Sequence, residues 1–434
     1  MNNQHDSFLD SLPHGWTFDR LKDVAALRND KTDEASADED YLELEDLESG
    51  TGRILNRRNT LEVESAVTLF KKGDVLFGKL RPYLEKYYEA EFNGKCTGEI
   101  LAFKPERISS RFLFYCVGSR WFIELCNALA YGAKMPRVSW PTQLSQFNIP
   151  LPPQPEQQRI AAYLDASCAA IDAAVAAKSR QLETLDDLRK TIIAQAVTKG
   201  LNPTVAMQRT GVDWFGQIPK NWRCEHLKRF ATRIQTGCTP PTNTPDYYFD
   251  GTISWFAPGS YDGDIELRKP RKLINELGRR DGVLRMFPAN TVFLVGIGAT
   301  IGKVGLIRQE AACNQQIIGI VSNHRMLGRY LAYQFKIYED VIHSIASATT
   351  LPIFDQVKTG YLPTLQPPRF EQGAICAFLD AKLAEVKRIV AGIETQISTL
   401  TAYRKSLIHE CVTGQRRVTE ADVRRAGSDC SCIL

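Results

Sequence analysis

Residues Glu156–Ala166 read EQQRIAAYLDA, and residues Glu371–Ala381 read EQGAICAFLDA. One eleven-residue phrase thus occurs twice, 215 positions apart, far beyond the roughly 20–50-residue period of a solenoid. At that fixed shift, with no gap, residues 151–200 and 366–415 agree at 20 of 50 positions. Each copy follows a Pro-Pro pair, which cannot lie inside a helix, and carries a Glu in its first turn, where the helix dipole favours an anion. An apolar stripe follows in steps of three and four. In the first copy it runs Ile160, Leu164, Ile171, Val175, Leu182, Leu185, Leu188 and Ile192; in the second, Ile375, Leu379, Val386, Val390, Ile397, Leu400, Tyr403 and Leu407. That period predicts a long amphipathic helix with a coiled-coil seam. About 40 residues at 1.5 Å each make a rod roughly 60 Å long.

So long a seam needs a partner, and the other copy is the natural one. The expected fold is a duplicated, pseudo-two-fold chain: α/β (α+β) blocks alternating with two long helices that pair as an antiparallel coiled coil. The boundaries are a first block at 1–150, a helix at 151–200, a second block at 201–365, a helix at 366–415, and a polar tail at 416–434 without a fixed fold. The blocks are related at their edges. SLPHGWTFDRLKDVA (11–25) echoes QIPKNWRCEHLKRFA (217–231), and FKKGDVLFGKL (70–80) parallels FPANTVFLVGI (287–297). Their middles diverge completely, as expected if the two blocks read different targets.

Composition bounds the rest. A chain of 434 residues accommodates two to four domains. The net charge of +4 means that any phosphate-binding surface is local. The start lacks the basic and apolar regions of a signal peptide, and no run of about 18 apolar residues is present, so no membrane association and a cytoplasmic location are expected. The eleven cysteines include no CxxC pair and read as reduced thiols; neither they nor the six histidines show metal-ligand spacing. FLVGIGATIGKVG (293–305) resembles a phosphate loop, yet Val304 stands where the Mg²⁺ hydroxyl belongs and the glycine spacing fails, so a strand and glycine turn are predicted. No amino-methyltransferase or nuclease motif is convincing. The chain reads as non-catalytic, with no cofactor or metal of its own.

The ordered phrases VDWFGQIPKNW, LPPQPEQQRIAAYLD, FGKLRPYLEK, KMPRVSW and ISWFAPGSYDG resemble those of the specificity subunits of Type I restriction-modification systems, over residues 13–415. Gly373 and Ala374 depart from the first copy's Gln158 and Arg159. The resemblance implies two target recognition domains that read a bipartite, asymmetric site on double-stranded DNA. It also implies helices that dock two methyltransferase subunits using S-adenosylmethionine and, through them, two motor-nuclease subunits using ATP and Mg²⁺. A specificity module for a fused methyltransferase-nuclease and a DNA-free coiled-coil scaffold are the alternatives.

Base readout needs Arg, Lys, Asn, Gln or Thr at groove edges, and positioning needs cations on phosphates. The first-block candidates are Lys79, Arg81, Tyr83, Lys86, Lys134 and Arg137. In the second block they are Thr239, Thr242, Arg268, Lys269, Arg271, Lys272, Arg279, Arg280, Lys303, Asn314, Gln315 and Gln316. For the basic residues a solvated surface charge stays an alternative, and for Asn314–Gln316 a polar turn. The acidic tract 38–48 is expected to face away from DNA.

Overall fold

The computed structural model of the chain describes residues 12–32, 40–59, 67–346 and 353–431. Two helices dominate, Gln154–Lys199 and Arg369–Val412. Contacts divide the chain into a first unit, 1–180 with 393–434, and a second, 181–392. Each unit therefore holds part of both long helices.

Within the first unit, Ile160, Leu164, Cys168 and Ile171 share one apolar core with Leu407, Ile408, Cys411 and Val412. Nearer the middle of the helices, Lys178 donates to Gln396 and Asp172 pairs with Arg404. Within the second, Ile193 and Val197 share a core with Ile375 and Leu379. The start of each helix thus lies beside the end of the other, which is antiparallel pairing. Ile160, Leu164, Ile171, Ile375, Leu379, Val386 and Leu407 are buried, whereas Val175, Leu182, Leu185, Ile192, Val390, Ile397 and Leu400 are half-buried. Leu188 and Tyr403 are exposed, although they lie in the same sequence stripe. Two helices without a third element cover a narrower stripe than a globular core does.

An 18-residue window of the first helix is long and apolar enough, by composition, to cross a membrane, which the count of uninterrupted apolar residues misses. That alanine-rich segment carries Asp165 and Asp172, which pair with Arg111 and Arg404 of the same unit. These charges fasten it to protein.

The two blocks share one topology. In the first, Thr17–Arg20 pairs with Asn148–Leu151, fastening the start of the block to its end just before the helix. A four-stranded sheet has the order Ala25–Leu27, Ile100–Pro105, Val75–Gly78, Tyr87–Glu89; a second runs Lys31–Thr32, Val67–Phe70, Gly94–Cys96, Asp40–Leu42, Arg58–Asn59. In the second block, Arg223–His226 pairs with Pro363–Gln366. Its sheets run Ala231–Thr236, Ile317–Ser322, Val292–Val295, Val304–Leu306, and Lys272–Ile274, Ile253–Phe256, Ala311–Cys313, Met286–Phe287. Registers correspond: Val75 faces Glu89 and Val292 faces Leu306. In each block the second sheet contains one parallel pair, Tyr41 with Lys95 and Trp255 with Ala312; the first block's adds the edge strand Lys31–Thr32. The diverged middles therefore keep a common frame.

The repeated letters bind each helix to its own block. Gln157, fully buried, accepts from Ser109 N at 2.8 Å and donates to Pro152 O at 2.9 Å. Its copy Gln372 does the same with Leu327 N and Pro367 O, at 2.8 and 2.9 Å. Asp165 accepts from Arg111 and Tyr115 at 2.6 and 2.7 Å; Asp380 accepts from Arg329 at 2.7–2.9 Å and from Tyr333. Burial works against the charge on Arg111 and Arg329, but their acidic partners outweigh it and keep both guanidiniums protonated. The repeat names one half of each clamp. The other half lies in RFLFY (111–115) and RYLAY (329–333), a repeated Arg-x3-Tyr that presents both side chains on one helix face.

The tail corrects its sequence reading. Polar composition predicts no fold after Arg416, yet Glu420–Ser431 is a helix. Val418 is 3% exposed and, with Val423 and Ala426, packs on the first unit's core. Arg159 donates to Val418 O at 2.8 Å. A few apolar side chains at helical spacing suffice where a ready surface receives them. Cys432 lies outside the described residues.

Candidate nucleic-acid interface

In the first unit, two stretches far apart in sequence form one surface. The turn after strand Val75–Gly78 meets the segment 131–138: Arg81 N donates to Pro136 O at 2.7 Å, and Val138 N to Lys79 O at 3.1 Å. Arg137 bridges to both Leu80 and Tyr131. Arg81 sits at φ 51° with Pro82 following, and Glu85 also sits at φ 51°. A left-handed non-glycine residue costs of order 1 kcal/mol. Arg81 and Lys134 are exposed and Lys79 half-buried, and none of the three makes a side-chain hydrogen bond or ion pair among the described residues. Tyr83 and Tyr131 stand 54% and 57% exposed beside them, with Met135. Cations interleaved with exposed rings suit a polyanion carrying flat bases.

Two candidates on this surface face inward. Arg137 holds Glu99 bidentately at 3.0–3.1 Å, and the Lys86 ammonium donates to Leu47 O. Their charges stabilise the turn. Tyr131 and Met135 escaped the sequence reading because a lone aromatic or methionine in a loop carries no pattern.

The second unit repeats this turn with other residues. Gly296 N donates to Gln316 O and Phe354 N to Gly296 O, both at 2.8 Å, as Lys79 N does to Glu99 O and Val138 N to Lys79 O. Likewise Val295 N donates to Lys303 O at 2.9 Å, matching Gly78 N to Lys86 O at 2.8 Å. Gly298 and Gly302, at φ 99° and 88°, hold the left-handed positions of Arg81 and Glu85. FLVGIGATIGKVG is thus a strand and glycine turn. Lys303 takes the place of Lys86, and Gln316 that of Glu99.

Of the remaining second-block candidates, Thr239 is exposed and donates to Gln315, and Thr242 is exposed. Asn314 is corrected: at 7% exposure it accepts from Gln316 N and donates to Gln316 Oε1, so it is the scaffold of a polar turn. The basic run lies around the edge strand Lys272–Ile274 and the helix Glu276–Arg280. Arg268 pairs with Glu266, Arg279 with Glu310, and Lys272 lies 4.3 Å from the Tyr248 ring centre. Lys269, Arg271 and Arg280 are exposed. In the acidic tract of the first block, Asp46 is buried and accepts from Arg58 at 2.8 Å, while Glu45 is exposed.

Residues 13–184 and 219–398 match the Type I restriction modification DNA specificity domain, twice over in one chain. The chain belongs to that family. Relatives include the EcoDI specificity subunit of Escherichia coli, 28% identical over 50% of this chain and 46% of its own length. Another is the putative MjaX specificity subunit of Methanocaldococcus jannaschii, 23% identical over 64% of this chain and 61% of its own. The matched region spans about half the length of these relatives. A chain solved in work on assembly and conformational transition of the type I R-M system superposes with a TM-score of 0.75, at 19% identity, covering 94% of this chain and all of that one. The HsdS subunit from Thermoanaerobacter tengcongensis gives 0.51 over 94% of this chain and 98% of its own. These structures share the fold of this specificity family member, doubled blocks and long helices included.

Proposed function

We propose that this chain is the DNA sequence-reading subunit of a Type I restriction-modification complex. It reads a bipartite, asymmetric target, one half with each block, and has no catalytic role. The observation that carries this reading is the shared turn: one backbone frame presents Lys79, Arg81 and Tyr83 in one block and Gly296, Gly298 and Thr300 in the other. A common frame with unlike side chains suits two unlike half-sites. In the first block Arg81, Tyr83 and Lys134 face the duplex; in the second Thr239, Thr242, Gln315 and the exposed members of the basic run do. The long helices fix the unread gap between half-sites and dock two methyltransferase subunits, which bring S-adenosylmethionine. Two motor-nuclease subunits using ATP and Mg²⁺ join through them, in the cytoplasm. Methylome sequencing of cells with and without this chain tests the reading. A split adenine-methylated motif that vanishes with the chain is expected; an unchanged methylome overturns it.

A further inference from the structure

The lysines that end the two turns meet different surroundings. In the first unit, Lys86 donates to Leu47 O, and its neighbour Glu85 pairs with Lys405 at 2.7 Å. Arg404 donates to Gly50 O at 3.1 Å and pairs with Asp172 at 3.0 Å. The buried Tyr87 ring lies so close to Gly118 that a Cβ there would approach it to 2.4 Å. Each of these cations has a partner, and a ring fills the space.

In the second unit the long-helix arginine is kept: Arg189, the copy of Arg404, donates to Gly263 O at 2.8 Å. The rest changes. Gly302 stands for Glu85, Val304 for Tyr87, and Lys336 for Gly118. At these positions a carboxylate and a ring are lost and a cation is gained, while Asp186 stands for Thr401. A cleft of about 500 Å³ results, lined by Arg189, Lys190, Lys303 and Lys336, with Asp186 and Glu339. Lys190 pairs with Asp186 at 2.8 Å. Lys303 makes no side-chain hydrogen bond or ion pair among the described residues, and Lys336 reaches only Gly263 O, at 3.5 Å. Burial pushes Lys336 down, and Arg189 and Lys303 add to this against a smaller pull from Glu339 and Asp264. Like charges held together out of water repel one another, and an anion relieves that repulsion.

We infer that this cleft binds a phosphate group through Lys303, Lys336 and Arg189, and that the first unit has no such site. A duplex backbone, which rests on the reading proposed above, and free phosphate share the required chemistry. The full chain is to be compared with K303M, K303M/K336M and, as a control, K405M in the filled counterpart. Duplex affinity is measured across a salt series, and inorganic phosphate binding by calorimetry without DNA. For a backbone phosphate, K303M/K336M weakens every duplex alike and lowers the salt slope by about 0.9, as one released counterion requires; K405M changes neither. If the slope stays and only inorganic phosphate binding disappears, the cleft serves a free anion. If neither arm changes in folded K303M, the inference is overturned, whatever the fold of the double variant. A wild-type chain that binds no duplex removes the DNA-reading proposal instead, and the phosphate titration then judges the cleft alone.

Discussion

The turns Gly78–Lys86 and Val295–Lys303 carry matching backbone hydrogen bonds and matching left-handed positions, with scarcely a side chain in common. The second meets the left-handed positions with glycine; the first places Arg81 and Glu85 there, at a cost of order 1 kcal/mol each. Glu99 of the first grips Arg137, whereas its counterpart Gln316 bonds Asn314, and Ile353, opposite Ile297, takes the place of Arg137. The helix starts differ in the opposite sense: Gln157 and Gln372, and Asp165 and Asp380, keep both identity and partners. The duplicated chain holds its anchors constant and varies its exposed turns. Copying protects what must bear load in both halves, and divergence collects where solvent or a ligand is the neighbour.

The comparison breaks most visibly in the helices. One-turn insertions at both Ala177 and Glu394, which preserve antiparallel register, are expected to abolish methylation of the original target. A motif with the same half-sites and a changed gap should replace it in methylome sequencing; altered half-sites would show that the helices do more than space. Next come the clamps. Asp165→Ala and Asp380→Ala each leave a part-buried guanidinium without its main acceptor, a loss of about 2 kcal/mol. Urea unfolding should show the loss in both variants; one that leaves stability unchanged would end the equivalence of the two anchors.

Arg81→Gly separates strain from readout. Stability is expected to rise by about 1 kcal/mol, while affinity for the cognate duplex falls at least about tenfold if Arg81 contacts a base edge. A rise in stability with unchanged affinity would assign Arg81 to the turn alone. The smallest effect concerns acid. Burial alone would raise the Glu266 carboxyl, but the hydrogen bond and charge of Arg329, with Arg308, hold it below its ordinary value near 4.5. Its contribution to stability is therefore complete above that ordinary value and lost as pH falls through the lowered one. Glu266→Gln should flatten the acid limb of the urea midpoint below the ordinary value near 4.5; an unchanged limb would show that other carboxylates set it.

The doubled helices were legible because a 3.6-residue period over 40 positions admits no other regular structure, and because the second copy repeats it. The turn in FLVGIGATIGKVG was legible from glycine spacing. That Arg137, Lys86 and Asn314 are held by Glu99, Leu47 and Gln316 was not legible for one reason: residue type shows that a side chain can bond, and its neighbours decide whether it already has. Tail helix 420–431 was missed because its few apolar residues acquire meaning only on the surface that receives them.

Sequence by itself determined the duplication, the two helices with their seam, and the family. All of these rest on local period and repeated identity, which a linear reading preserves. Tertiary structure alone decided which cations face inward, where Arg111 and Arg329 complete the repeated aspartates, and why a cleft opens beside Lys303 and closes beside Lys86. Those outcomes depend on residues from about 40 to over 300 positions apart meeting within a few ångströms, and charge and burial take their values only there.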